Sequence, residues 1–200
     1  MIGVIDYEAG NAPSVVSALT HLGHASRLVA SPEELGEVGR VILPGVGSAA
    51  ATLESLESTG LRKAIEKRVR EERIPFLGIC VGLQILFEHS EEGDVPCLGW
   101  LEGRVRRFDG PGLRVPQIGW NVAEKTREHP LLAGLPRTGH YYFVNSYYVV
   151  PTRPEVVLCT TEYGVRFASV VAEGNVYAAQ FHVEKSGPLG LRLLDNFARL

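Results

Sequence analysis

A thiol sits between two glycines in Gly78-Ile79-Cys80-Val81-Gly82, at the end of one apolar run and just before another. In the G-x-S-x-G elbow of hydrolases a sharp strand-to-helix turn lifts the nucleophile above the sheet, and small flanking residues let the backbones cross closely. A G-x-C-x-G version places Cys80 at a helix N-terminus, where unpaired N–H groups and the helix dipole favour thiolate. The N–H of Val81 would then point toward a developing oxyanion. The competing reading is a buried core cysteine whose glycine neighbours serve only strand–helix packing.

A thiol nucleophile needs a base. The run VYAAQFHVEKS brings His182 and Glu184 within two residues of each other, and period two in a strand would put both side chains on one face. There the carboxylate could orient the imidazole and stabilise its charged form, as in a nucleophile–base–orienter triad. Taken singly, they would equally suit a strand-end histidine and a capping or surface carboxylate. The third group is Pro44-Gly45-Val46-Gly47-Ser48. Its glycines reach backbone conformations closed to other residues, so a peptide N–H of Val46 or Gly47 could be aimed into a cleft as a second oxyanion donor. Phosphate binding is the rival for a glycine-rich loop, but the Lys-Ser/Thr of a P-loop and the three-glycine dinucleotide fingerprint are both missing.

The elements that must position these groups alternate in the first half. Strands are expected at Ile2 to Tyr7, Ala25 to Ala30, Arg40 to Gly45 and Pro75 to Cys80. Helices are expected from Ser14 to Leu22, after Ser31-Pro32, and through GLRKAIEKRVREE, where Leu61, Ile65 and Val69 share a face. That rhythm predicts an α/β fold with a mostly parallel central sheet and helices on both faces. After Gly93 come WLEGRVRRF, YYFVNSYYVV, VVLCTTEYG, RFASVVAEG and VYAAQFH, separated by Gly and Pro. These predict an additional antiparallel hairpin or meander region, closed by a helix over Gly190 to Leu200. Cys80 and His182 both fall at C-terminal strand ends, where open α/β sheets bind ligands.

The chain has 200 residues, 45% apolar and 22% charged, which suits one soluble domain over residues 1–200. A net charge of −3 leaves no basic footprint for nucleic acid. No apolar run reaches membrane-spanning length, and MIGVIDYEAGN lacks the features of a signal peptide, so a cytoplasmic protein is expected. The three cysteines fit neither a disulfide framework nor a metal-ligand spacing, and Cys97 and Cys159 are read as core residues.

With PGVGS, GICVGLQ and QFHVEKS in this order, the chain resembles the triad (class I) glutamine amidotransferases, a flavodoxin-like fold. More narrowly, it is similar to the glutaminase subunits of imidazole glycerol phosphate synthases. The likeness extends through IDYEAGN, PQIGWN and YYFVNSYY. Val183 departs from the His-Pro-Glu of many triad glutaminases and leaves base and acid in place. The resemblance implies that Cys80 attacks the side-chain amide of L-glutamine, His182 moves the protons and Glu184 holds His182. It further implies that Val81 and the Pro44–Gly47 loop stabilise the oxyanion. Gln84 and the backbone at Gly47, Asn145, Ser146 and Tyr147 would hold glutamine, and Glu92, from the acidic run EHSEEGD, would lie near its α-ammonium. The implied partner is a (β/α)₈ barrel cyclase subunit that receives the ammonia and makes imidazole glycerol phosphate and aminoimidazole carboxamide ribotide. Asn11, Trp120, Tyr142 and Lys185 are candidates for that interface. No cofactor and no metal are implied. A glutaminase of another synthase, such as those of pyridoxal phosphate or aminobenzoate synthesis, and a catalytically silent binding subunit are the alternatives.

Overall fold

The computed structural model describes residues 1–7 and 11–200; the Glu8-Ala9-Gly10 part of the IDYEAGN motif lies outside the described residues. The parallel half is built from β1 (Ile2–Ile5), β2 (Ser26–Val29), β3 (Arg40–Gly45) and β4 (Phe76–Cys80). Between and after them run α1 (Ala12–His21), α2 (Pro32–Leu35), α3 (Ala49–Ser58), α4 (Leu61–Glu66) and the short α5 (Val81–Gln84). Every residue of β1 and β4 is buried, which requires cover on both sheet faces.

The rest of the chain adds β5 (His89–Ser90), β6 (Val95–Pro96), β7 (Gly103–Arg107), β8 (Gln117–Lys125) and β9 (Thr138–Asn145). β10 (Tyr147–Pro151), β11 (Val157–Glu162), β12 (Arg166–Glu173) and β13 (Val176–Ala179) follow, and α6 (Gly187–Arg199) closes the chain. β13 returns to lie parallel beside β4, giving the parallel order β2-β1-β3-β4-β13, the doubly wound order of the flavodoxin type. β12 pairs antiparallel with β13 and is the branch point. One arm runs β12-β10-β7-β5-β6 and the other β12-β11-β8-β9.

Several sequence expectations shift. The segment YYFVNSYYVV is two strands broken at Ser146: β9 belongs to one arm of the sheet and β10 to the other. A single extended strand cannot serve two diverging arms, so the chain bends between them. The first helix starts at Ala12, two residues before the expected Ser14, and the last starts at Gly187, with Pro188 tolerated in its first turn. The expected long helix is α4 followed by a π-helical turn over Lys67–Glu71. Its apolar face is as read: Leu61, Ile65 and Val69 are all buried. The sequence reading had no helix at α3, whose start is capped by the Ser48 hydroxyl accepting from the Ala51 N–H at 3.2 Å. The same device at Ser31 caps α2, as expected. The buried residues form one contiguous core spanning both halves. Among the described residues no helix is long and apolar enough to cross a membrane.

Candidate active site

The elbow turns on sterics that the motif foretold. Cys80 has φ +56° and ψ −109°, a left-handed backbone that L-residues avoid. A Cβ on Gly78 would come within 2.4 Å of the Gly82 carbonyl oxygen, and one on Gly82 within 2.1 Å of the Leu43 carbonyl oxygen. One on Gly45 would meet the Val81 Cβ at 2.7 Å. The glycines therefore let β4, α5 and β3 touch backbone to backbone, and that contact fixes the thiol at the end of the sheet.

His182 and Glu184 come together as expected, but not for the expected reason. β13 ends at Ala179, and Val183–Lys185 is a turn of 3-10 helix with His182 as its N-cap. Within that turn His182 Nδ1 lies 2.9 Å from Glu184 Oε1. The carboxylate accepts, so Nδ1 carries the proton and Nε2 is left for the Cys80 thiol, with which the imidazole also hydrogen-bonds. The Glu184 side chain is fully shielded from solvent. Burial opposes the charge on His182, yet hydrogen bonds to Cys80 and Glu184 and their negative charge outweigh it, raising the imidazole to about 10. Burial alone would raise Glu184 as well, but the hydrogen bond and charge of His182, helped by the Asn11 amide, hold it below the ordinary carboxylate range. Such an imidazolium–carboxylate pair keeps a proton beside the sulfur.

In front of the pair lies a cavity of about 240 Å³. It gathers Cys80, His182, Val46, Gly47, Val81, Gln84, Glu92, Asn145, Ser146 and Tyr147, together with Pro116 and Val144, which the sequence reading did not anticipate. Gly47 has φ +102°, so its peptide takes an orientation that a side chain would resist. The Val46 N–H is a hydrogen-bond partner of the buried Tyr7 hydroxyl. Glu92 is not the solvated surface turn its acidic neighbours suggest: half-buried, it accepts from the Ala49 N–H at 2.9 Å, at the start of α3. Burial raises its carboxyl above the ordinary value, against that hydrogen bond. Asn145, Ser146 and Tyr147 form the bend between the two arms. There the Asn145 amide donates to the Tyr147 carbonyl at 2.9 Å, while its Oδ1 is buried with no partner among the described residues.

The four interface candidates separate. Trp120 is 57% exposed, next to Ile118 at 66% on the same outward face of β8, and its ring meets Tyr142 edge-on at 6.1 Å. Lys185 is exposed at the rim. Asn11 is different: its side chain is buried, with its amide on Glu184 Oε1 and 3.4 Å from His182 Nδ1. Its side chain thus backs the triad and does not lie on the outer surface. Cys97 and Cys159 are buried free thiols, as read, and burial pushes them up to about 11 and about 12.

The family model described as glutamine amidotransferase class-I matches residues 3–200. Over 201 residues the chain is 47% identical to imidazole glycerol phosphate synthase subunit HisH of Dehalococcoides mccartyi, covering 100% of this chain and 97% of that one. It is 44% identical over 206 residues to the subunit of the same name in Thiobacillus denitrificans, covering 98% and 90%. A crystal structure of a glutamine amidotransferase superposes with a TM-score of 0.75 at 26% identity, covering 100% and 99%. PurLQS from Thermotoga maritima shares the fold, with a TM-score of 0.75 at 16% identity, covering 99% and 97%. A nucleophile elbow, an adjoining imidazole–carboxylate pair and full-length likeness lead to one conclusion: the chain belongs to the class I glutamine amidotransferases.

Proposed function

We propose that this chain is the glutaminase subunit of an imidazole glycerol phosphate synthase, releasing ammonia from L-glutamine for a cyclase partner in histidine biosynthesis. The observation that carries the reading is the meeting of Cys80, His182 and Glu184 at the ends of the adjacent parallel strands β4 and β13, in a chain similar to HisH subunits from end to end.

The sulfur of Cys80 attacks the carboxamide carbon of glutamine, forming a C–S bond and a tetrahedral oxyanion. The N–H groups of Val81 and, from the loop, Gly47 receive that oxygen, while the Val46 N–H stays bonded to Tyr7; each such donor is worth about 10²–10³ in rate. As the C–N bond breaks, the His182 imidazolium gives its proton to the departing nitrogen, and ammonia leaves. Neutral His182 then takes a proton from water, whose oxygen attacks the thioester carbon, and glutamate leaves as the C–S bond breaks. Glu184 stays ionised throughout and holds His182 in one tautomer. Glu92, the unpartnered Asn145 Oδ1 and the carbonyl of Gln84 are acceptors suited to the α-ammonium and amide donors of glutamine. The partner is a (β/α)₈ barrel cyclase that docks over Trp120, Tyr142 and Lys185 and keeps the ammonia from bulk solvent in the cytoplasm.

The test is glutamate production by the purified chain, alone and with the cyclase subunit, with and without that subunit's ribonucleotide. Slow turnover alone and a large rise in the liganded complex support the reading. Brisk turnover that the cyclase leaves unchanged would point to another synthase.

A further inference from the structure

Gln180 follows the last residue of β13, is wholly buried, and has no part in the chemistry above. Its Nε2 is a donor 3.7 Å from the Cys80 sulfur, and its Oε1 accepts from Gln84 Nε2 at 3.2 Å. Gln84 Nε2 also donates to the main-chain carbonyl of Tyr147 at 3.1 Å. A side-chain amide can turn over, but a backbone carbonyl can only accept. Tyr147 therefore fixes which end of Gln84 is nitrogen. With both of that nitrogen's hydrogens taken, Gln84 offers the cavity its carbonyl oxygen. Gln180 must in turn present oxygen to Gln84, which leaves its own nitrogen facing the sulfur.

The surroundings of the sulfur make this direction matter. The thiol contacts the Val144 carbonyl at 3.7 Å as a donor, and once the proton leaves, that oxygen repels the sulfur anion. Gln180 supplies the opposing donor, and bonds to an ionised partner are about twice as strong as neutral ones. Resting on the reading of Cys80 as nucleophile, we infer that Gln180 is a positioning residue: it donates to the Cys80 sulfur anion and, through the same amide, locks Gln84 in its substrate-accepting orientation.

Two variants of the full chain separate these duties. Gln180→Glu keeps an oxygen for Gln84 and removes the donor to sulfur; Gln180→Met removes both at similar volume. The first readout is the pH dependence of Cys80 alkylation by iodoacetamide, followed on the labelled peptide with Cys80→Ala as background. The midpoint should rise by about one pH unit in Gln180→Met and further in Gln180→Glu, where a carboxylate faces the sulfur. In the cyclase complex kcat for glutamine hydrolysis should fall about 10- to 100-fold in both, with KM rising only in Gln180→Met. An unchanged alkylation midpoint in the folded variants, verified by circular dichroism, overturns the inference; a lower melting temperature alone is what a packing role would give. If Gln180→Glu does not fold, Gln180→Met carries the test. Alkylation does not depend on glutamine turnover, so a parent chain that makes no glutamate defeats the proposed function while the shifted midpoint still upholds the role at sulfur.

Discussion

The parallel half of the sheet and its branched antiparallel half contribute different things to one cavity. β3, β4 and β13 carry the Gly47 loop, Cys80 and the His182–Glu184 turn, each within a few residues of a strand end, and Gly45, Gly78 and Gly82 leave no room for a Cβ where β3, β4 and α5 meet. The branched half brings the wall formed by Asn145, Ser146 and Tyr147, made where the chain leaves one arm for the other. The difference teaches that the thiol–imidazole–carboxylate cluster is placed by local backbone geometry, whereas the Asn145–Tyr147 wall of the cavity is placed by how two arms diverge from β12.

The comparison breaks most sharply at Cys80. Cys80→Ala should lower glutamate production by about 10⁴-fold or more while circular dichroism and cyclase binding stay as in the parent; retained hydrolysis would move the chemistry elsewhere. Gly82→Ala tests the packing beneath it. Its Cβ would press on a backbone carbonyl that cannot move aside, so stability should fall by about 3 kcal/mol in urea unfolding. An unchanged midpoint would mean that the β3–α5 contact is looser than described.

Asn145→Ala sharpens the contrast from the other half. It should raise KM for glutamine about tenfold, the loss of one bond of roughly 1.4 kcal/mol, with kcat nearly held. A selective loss of kcat would instead make the bend part of the reacting machinery.

The gentlest probe is a titration. His182 is raised to about 10 in the folded chain against about 6.5 for a free histidine. Its contribution to stability is therefore complete below about 6.5 and fades as pH climbs through about 10. Glu184, held low, contributes above the ordinary carboxylate value and loses that contribution as pH falls through its depressed one. Because Cys80 supplies part of the rise, the His182 imidazole should titrate at lower pH in Cys80→Ala than in the parent, by NMR. Equal midpoints would show that Glu184 alone sets it.

The two halves were unequally legible in the sequence. The elbow could be read because its reason is local: two glycines flank a residue that must adopt positive φ. Strands β1 to β4 announced themselves as apolar runs between turn residues. Helix α3 was passed over because AAATLES shows only a weak apolar stripe, although Ser48 at its start was a capping signal. The bend at Ser146 could not be read, since nothing in YYFVNSYYVV says that its two ends pair with different strands. Period-two reasoning was applied to His182 and Glu184, where the strand has already ended. The two side chains that do converge on the sulfur, Gln180 and His182, also lie past the last strand residue, Ala179, so strand periodicity does not reach them either. Asn11, by family likeness a candidate for the interface around the active site, is buried against Glu184 just before α1.

Among the described residues β9 pairs with β8 on one side only. On its other side the Tyr142 carbonyl accepts from the His182 N–H at 3.0 Å, and the Tyr142 N–H donates to the Ser186 hydroxyl at 3.0 Å. The segment that carries the base thus also covers an open strand edge, the kind of surface that recruits other chains into aggregates. Damage that unseats His182 would therefore also bare the β9 edge to pairing with other chains.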